Sequence, residues 1–443
     1  MASYDDFDDL VLKLKKSAID AYMRENRWDI EGDKYEQNAS SAHYKVTKPD
    51  GDGNGGGEWS SDNFIANWLT DKTDEYKGYF DEIRSTIEEL TEPWRGLPDP
   101  ASIAAHTENA RQTTRRLAVN ASSEGGESSG AGIIGGLLTL IDQNMQDMDG
   151  EAMATFKAKF LVQLRAVISG FHNITLVRGA NVAAQEGLWE AARTDVTKIV
   201  NNSEKSFRAL AENGSDNATE VLTVVGFAAK GASLFGGGIP AGVVGLGVDI
   251  LTDVNSKQRK PTVSADSYED GISTLTKALK ELNEGITAEE TLLNENFVTN
   301  LTNINADKTS YDLTIPAITS SANIAINVQK VRDVARSYMP QVSAELDAVS
   351  TISQNISLYS AVSRDSAIGI GQNGPSENLR ELTWLLYELM RDLSWEITNG
   401  AKNLELVAED FERHEQDTAS ALDDIAKKID EGSGYTPWGE KVN

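Results

Sequence analysis

The sequence predicts an all-α protein: an elongated bundle of long, nearly antiparallel helices that carries one glycine-rich apolar hairpin. Three observations predict it. Apolar residues recur at steps of three and four along most of the 443 residues, the spacing that lines one face of a helix. The two-residue alternation of a half-buried strand is nearly absent. Short clusters of glycine and proline separate the periodic stretches, as in bundles whose neighbouring helices are joined by tight turns.

Five regions follow along the chain. Residues 1–58 combine a short amphipathic helix, carried by Phe7, Leu10, Leu14, Ile19 and Tyr22, with a polar, tyrosine-containing stretch. They run into Asp50–Gly57, whose glycines cannot continue a helix or a strand. Residues 59–215 open with a helix marked by Ile65, Trp68, Tyr76, Phe80, Ile83 and Ile87, which Pro93 and Pro98 end. A second helix, Ala101–Val119, and a Ser/Gly linker, Ser122–Gly136, lead to a long helical stretch with Phe156, Phe160, Leu164, Ile168 and Phe171 on one face and kinks expected at Gly170 and Gly179.

Residues 216–262 form the hairpin. Two apolar arms, with Gly226 and Gly231 in the first and Gly242 and Gly245 in the second, meet at Gly236, Gly237, Gly238 and Pro240, which force a turn. Residues 263–432 supply three more long helices. The first has a seam of Ile272, Leu275, Leu279, Leu282, Ile286, Leu293 and Phe297, and the second is bent near Pro340. The third carries a stripe of Leu379, Leu382, Leu386, Leu389, Leu393 and Ile397, with Trp384 and Trp395 beside it. Residues 433–443 are expected to be a flexible tail.

Composition narrows the function. Sixty-nine acidic residues against 41 basic ones give a net charge of −28, which disfavours nucleic acids and anionic lipid headgroups as partners. The chain has no cysteine, so disulfides, thiolate metal sites and thiol nucleophiles are excluded together. The first nine residues are acidic where a secretory signal is basic and then apolar, so classical signal-peptide export is not expected. No nucleophile elbow, phosphate-binding loop or zinc-helix motif occurs, and the four histidines, His43, His106, His172 and His414, lie far apart in the chain. A non-catalytic protein without a cofactor is the expectation.

Two segments have competing readings. Asp50, Asp52 and Asn54, with Gly55 sixth and Glu58 ninth, reproduce the first half of an EF-hand calcium loop, but Ser61 stands where a bidentate glutamate closes the shell. The segment reads either as a weak calcium site or as a solvated Gly/Asp loop. The 221–251 hairpin reads either as a tongue that inserts into a membrane, as in a helical pore-forming toxin, or as two small-residue helices packed closely in the bundle. Lys230, Asp249 and the short arms exclude a resident span, which needs ~20 apolar residues.

Two short stretches carry a resemblance. Met148-Asp149-Gly150-Glu151-Ala152, followed by Ala154 and Phe156, resembles the segment after the helical turn in WXG-family proteins, with methionine in place of tryptophan, and a literal Trp94-Arg95-Gly96 stands upstream. Phe411 and Glu415, in a stretch running from Leu406 to Leu422, are similar to the Tyr-x-x-x-Asp/Glu export signal in the C-terminal helix of such proteins. Together they resemble WXG-family substrates of type VII secretion of the actinobacterial type. The resemblance implies an exported helical effector or interaction protein, recognised by the secretion ATPase and accompanied in some cases by a small helical partner. Phe411 and Glu415 would be the recognition pair, with Trp94, Gly96, Met148 and Gly150 shaping turns.

Overall fold

The computed structural model describes residues 3–39, 42–63, 71–119, 132–146, 148, 151–213, 220–221, 262–263, 267–311, 313 and 327–430. The protein is mainly α-helical, with several long helices and, among the described residues, a four-stranded sheet and a two-stranded pair. It divides into two compact units, each assembled from three chain segments. Unit 1 contains Met1–Arg111, Leu176–Asn303 and Asn355–Leu382; unit 2 contains Gln112–Thr175, Ile304–Gln354 and Thr383–Asn443.

Unit 1 begins with α1, Phe7–Glu25. Asp8 and Asp9 in its first turn complement the positive end of the helix dipole, and Phe7, Leu10, Val11, Leu14 and Ala18 form its buried face. Arg27, at φ +64°, ends it. Four antiparallel strands then follow in sequential order: β1, Asp29–Glu31; β2, Lys34–Ala39; β3, Ala42–Thr47; and β4, Trp59–Ser61. The sequence pattern contained no strand here. The register explains why: Tyr35, Val46 and Trp59 lie side by side, and this one row of side chains supplies most of the buried apolar surface, leaving little alternation to read. Tyr35 packs edge-on against Phe80 of α2, Thr73–Thr91, with ring centres 6.0 Å apart.

The glycine run joins β3 to β4 and lies close to both α1 and α2. A Cβ on Gly56 would stand 2.7 Å from the Pro49 nitrogen, and one on Gly57 would stand 2.9 Å from the Lys77 nitrogen. Both have φ near +80°, so side chains are excluded by backbone conformation and by space. Helix α3, Pro100–Leu117, follows the second helix after a short turn.

In unit 2, α4 spans Ile133–Met145 and α5 spans Glu151–Phe156. A π-helical turn at Lys157–Leu161 joins α5 to α6, Val162–Asn213, which gives residues to both units. Helix α6 continues through Gly170 and Gly179 without interruption. The absent side chain at Gly170 makes room for Tyr311, whose ring stacks on Phe171 with centres 5.7 Å apart. A two-residue bridge pairs β5, Glu220–Val221, with β6, Thr262–Val263. Helix α7 covers Tyr268–Ala306, and of its expected seam Leu275, Leu279, Leu282, Ile286, Leu293 and Phe297 are buried and Ile272 is half-buried.

Helices α8, Val328–Asp333, and α9, Met339–Gln354, are joined by a second π turn, Val334–Tyr338. This turn lies where the sequence places a bend: Pro340 has no N–H to donate one turn back, and the widened turn accommodates the missing bond. Helix α10, Ser376–Asp430, is the longest, and Leu379, Leu382, Leu386, Leu393 and Ile397 form its buried stripe. Both π turns bring a side chain to it. A Cβ added at Gly400 would lie 2.7 Å from Phe160 Cε2, in the first π turn, and 3.3 Å from Met339 Cε, immediately after the second.

Candidate functional site

Trp94-Arg95-Gly96 stands in the turn between α2 and α3. Trp94 is buried and Gly96 has φ +74°, a conformation that favours glycine, so two of the three residues have conformational or packing reasons for their identity. Residues distant in sequence hold the turn. Tyr4 Oη donates to Trp94 O at 2.6 Å and accepts from Leu97 N–H at 2.8 Å. Arg193 of α6 donates to Leu97 O at 2.7 Å while its guanidinium lies 4.6 Å from the centre of the Tyr4 ring. Arg95 binds Asp8 at 2.6 Å and also pairs with Glu88 and Glu92, and Lys15 reaches Glu88 at 2.5 Å. The Arg95 and Lys15 cations pull the Glu88 carboxyl down to about 2.

Phe411 and Glu415 lie one turn apart on α10, in unit 2. Phe411 is half-buried and Glu415 exposed. On the same helix, Glu405 and Glu412 are bound by Arg336 and Arg332, each at 2.5 Å. Beyond these bonds, every described side chain from Arg413 to Lys427 is exposed. The pair therefore sits where a packed helix becomes a solvated one. Met148 is buried and its carbonyl accepts from Lys157 Nζ at 2.8 Å, whereas Gly150 lies outside the described residues.

Asp50 Oδ1 in the glycine loop accepts from the backbone N–H groups of Asp52 and Asn54 at 3.0 and 2.8 Å, which closes the loop on itself. Glu58 is bound by the Thr47 hydroxyl and by Lys77 at 3.3 Å. Arg84 donates to Gly53 O at 2.7 Å and also to Gly55 O, fixing the loop to α2. Among the described residues, no group of three or more histidine or carboxylate side chains is placed to hold a metal ion. The hairpin glycines Gly226, Gly231, Gly236, Gly237, Gly238, Gly242 and Gly245, with Pro240, lie outside the described residues. No described helix is long and apolar enough to cross a membrane.

Two polar assemblies of unit 1 were not legible in the sequence. In the first, Arg364 and Glu290 form an ion pair with both side chains fully buried. The guanidinium also donates to Val362 O and Ile368 O at 3.0 and 3.2 Å and lies 4.5 Å from the centre of the Trp189 ring. Glu290 accepts from Ile370 N–H at 3.1 Å, so the 355–375 loop closes over its own arginine. Gly369 and Gly374, both at positive φ, abut the Glu290 carboxylate, where a Cβ would stand 2.2 and 2.5 Å from its oxygens. Burial pushes the Glu290 carboxyl above its ordinary range, although Arg364 opposes the shift. The second assembly is a cleft of about 560 Å³ where Lys16 and Lys48 share the Asp20 carboxylate, at 3.0 and 3.2 Å, with the Tyr35 hydroxyl at 2.6 Å. Lys13, Arg24 and Arg208 complete its basic lining, opposed by Glu204 and Glu212.

No protein-family model matches the chain, and neither a curated protein nor a solved structure is significantly similar to it.

Proposed function

We propose that this chain is a non-catalytic interaction protein exported by a type VII secretion machine, with Phe411 and Glu415 read by the secretion ATPase. The observation that supports this reading best is the placement of the pair. An aromatic and a carboxylate stand one turn apart at the point where α10 leaves its packing partners, with the following turns open to a receptor. The Trp-x-Gly turn between two helices of 19 and 18 residues agrees with the same family.

Phe411→Ala separates recognition from packing. A half-buried phenylalanine should contribute less to stability than the ~3–5 kcal/mol of a core one. If the pair is the signal, the variant melts within a few degrees of the parent yet disappears from the culture medium of a host carrying the machine. Glu415→Gln keeps shape and removes charge, and it should reduce export with no change in melting. Normal export of both folded variants would reject the pair as the signal.

A further inference from the structure

We propose that the outer face of α10 is a homodimer seam: a second copy of this chain docks antiparallel on it, with the two-fold axis at Trp395. Three large apolar side chains are presented there, Trp384, Trp395 and Leu406, with exposures of 52%, 66% and 62%. They recur every eleven residues, which is three helical turns plus about 20°, so they lie on one slowly drifting stripe. The opposite face is already filled by Leu386, Met390, Leu393, Ile397 and Leu404, all buried. Helix α10 is thus apolar on two sides, and among the described residues one of them is covered.

The charges between these residues select both the occupant and its direction. Glu388 and Lys402 are exposed on the same stripe, each seven residues from Trp395. An antiparallel copy centred on Trp395 sets Trp384 against Leu406, Trp395 against itself, and Glu388 against Lys402, twice over by symmetry. A parallel copy in register would set Glu388 against Glu388 and Lys402 against Lys402, and like charges repel. Between Trp384 and Leu406 the Glu388 and Lys402 charges are therefore complementary in one orientation, as a two-fold interface requires. The seam from Trp384 to Leu406 is about 33 Å long. Repulsion between two acidic chains is screened beyond about 8 Å in physiological salt, which leaves the local pairing to decide.

Sedimentation of the purified full chain tests this, with melting temperature as the check on folding; all the substituted side chains are exposed, so the variants should fold. The parent should dimerise, and Trp395→Ala should weaken the dimer at least about tenfold, as expected for a central aromatic anchor. Glu388→Lys and Lys402→Glu should each weaken it by about tenfold, since either change turns two attractions into two repulsions. Glu388→Lys combined with Lys402→Glu restores opposite charges in the antiparallel arrangement and should recover affinity to within about threefold. A parent that stays monomeric at about 100 µM, a micromolar-scale association being the least such a seam should give, would overturn the proposal. So would a dimer indifferent to Trp395→Ala, or a double variant no tighter than the single ones.

Discussion

The interiors of the two units are built from different materials. Unit 1 buries charge and amide groups: the Arg364–Glu290 pair against Trp189, the completely buried Arg178, and Asn296, which donates to Asn181 at 3.2 Å. In unit 2, Phe156 stacks on Phe160, Phe160 lies against Gly400, and Ser343 meets Ser394 at 2.7 Å and Thr398 at 3.0 Å in a hydroxyl cluster. Their surfaces differ in the opposite sense, because unit 2 carries exposed Trp384, Trp395 and Leu406 on one helix. Buried polar groups must find specific partners, so they determine which segments of unit 1 meet. Exposed aromatics are unspent binding surface, so unit 2 is where association is expected.

Amide hydrogen exchange, read separately for peptides of each unit, tests the contrast between the two interiors. The largest effect should come from Arg364→Ala. It leaves Glu290 buried without its cation and should cost unit 1 about 3–5 kcal/mol of protection while sparing unit 2. Equal loss in both units would mean that they open as one. Gly400→Ala comes next and acts on unit 2. Its Cβ is forced against Phe160 and Met339, so about 1–3 kcal/mol is the expected loss, with the deficit concentrated near the two π turns.

Unit 1 should also carry a pH dependence of definite sign. Burial pushes the Glu289 carboxyl from 4.5 up to about 7. Between those values the folded chain keeps a proton that the unfolded chain has released, so stability falls as pH rises through the window and levels off above it. Glu289→Gln should flatten that slope in a urea titration repeated at several pH values; an unchanged slope would assign it to other groups, Glu290 first among them. Trp395→Ala should give the smallest stability change, within about 0.5 kcal/mol, because its indole is mostly exposed. A larger loss measured on the monomer would show that Trp395 packs within its own chain.

Helices were readable from the pattern of side chains, and the sheet was not. The α10 stripe predicted from Leu379 to Ile397 is the buried face, with only Leu389 half-buried, because a three-four repeat over five turns marks one side of a helix whatever it packs on. The strands are three to six residues long, and their buried row of Tyr35, Val46 and Trp59 is assembled across strands rather than along one. Glycines were legible as breaks but not as contacts: Gly56 and Gly57 mark a loop, yet what requires them is the backbone of Pro49 and Lys77. At the Trp-x-Gly turn the motif was visible, while Tyr4 and Arg193, 90 and 96 residues from the groups they bind, had no local signal.

Two tryptophans show where local pattern ends and long-range packing begins. Trp189 and Trp395 both sit in long helices, and the sequence was sufficient to place them there, since helix formation depends on neighbours three and four residues away. Only the folded chain made Trp189 a fully buried platform for Arg364, 175 residues further along, and left Trp395 facing solvent. Burial is a property of which surfaces meet, and surfaces meet through contacts distant in sequence, which no local pattern encodes.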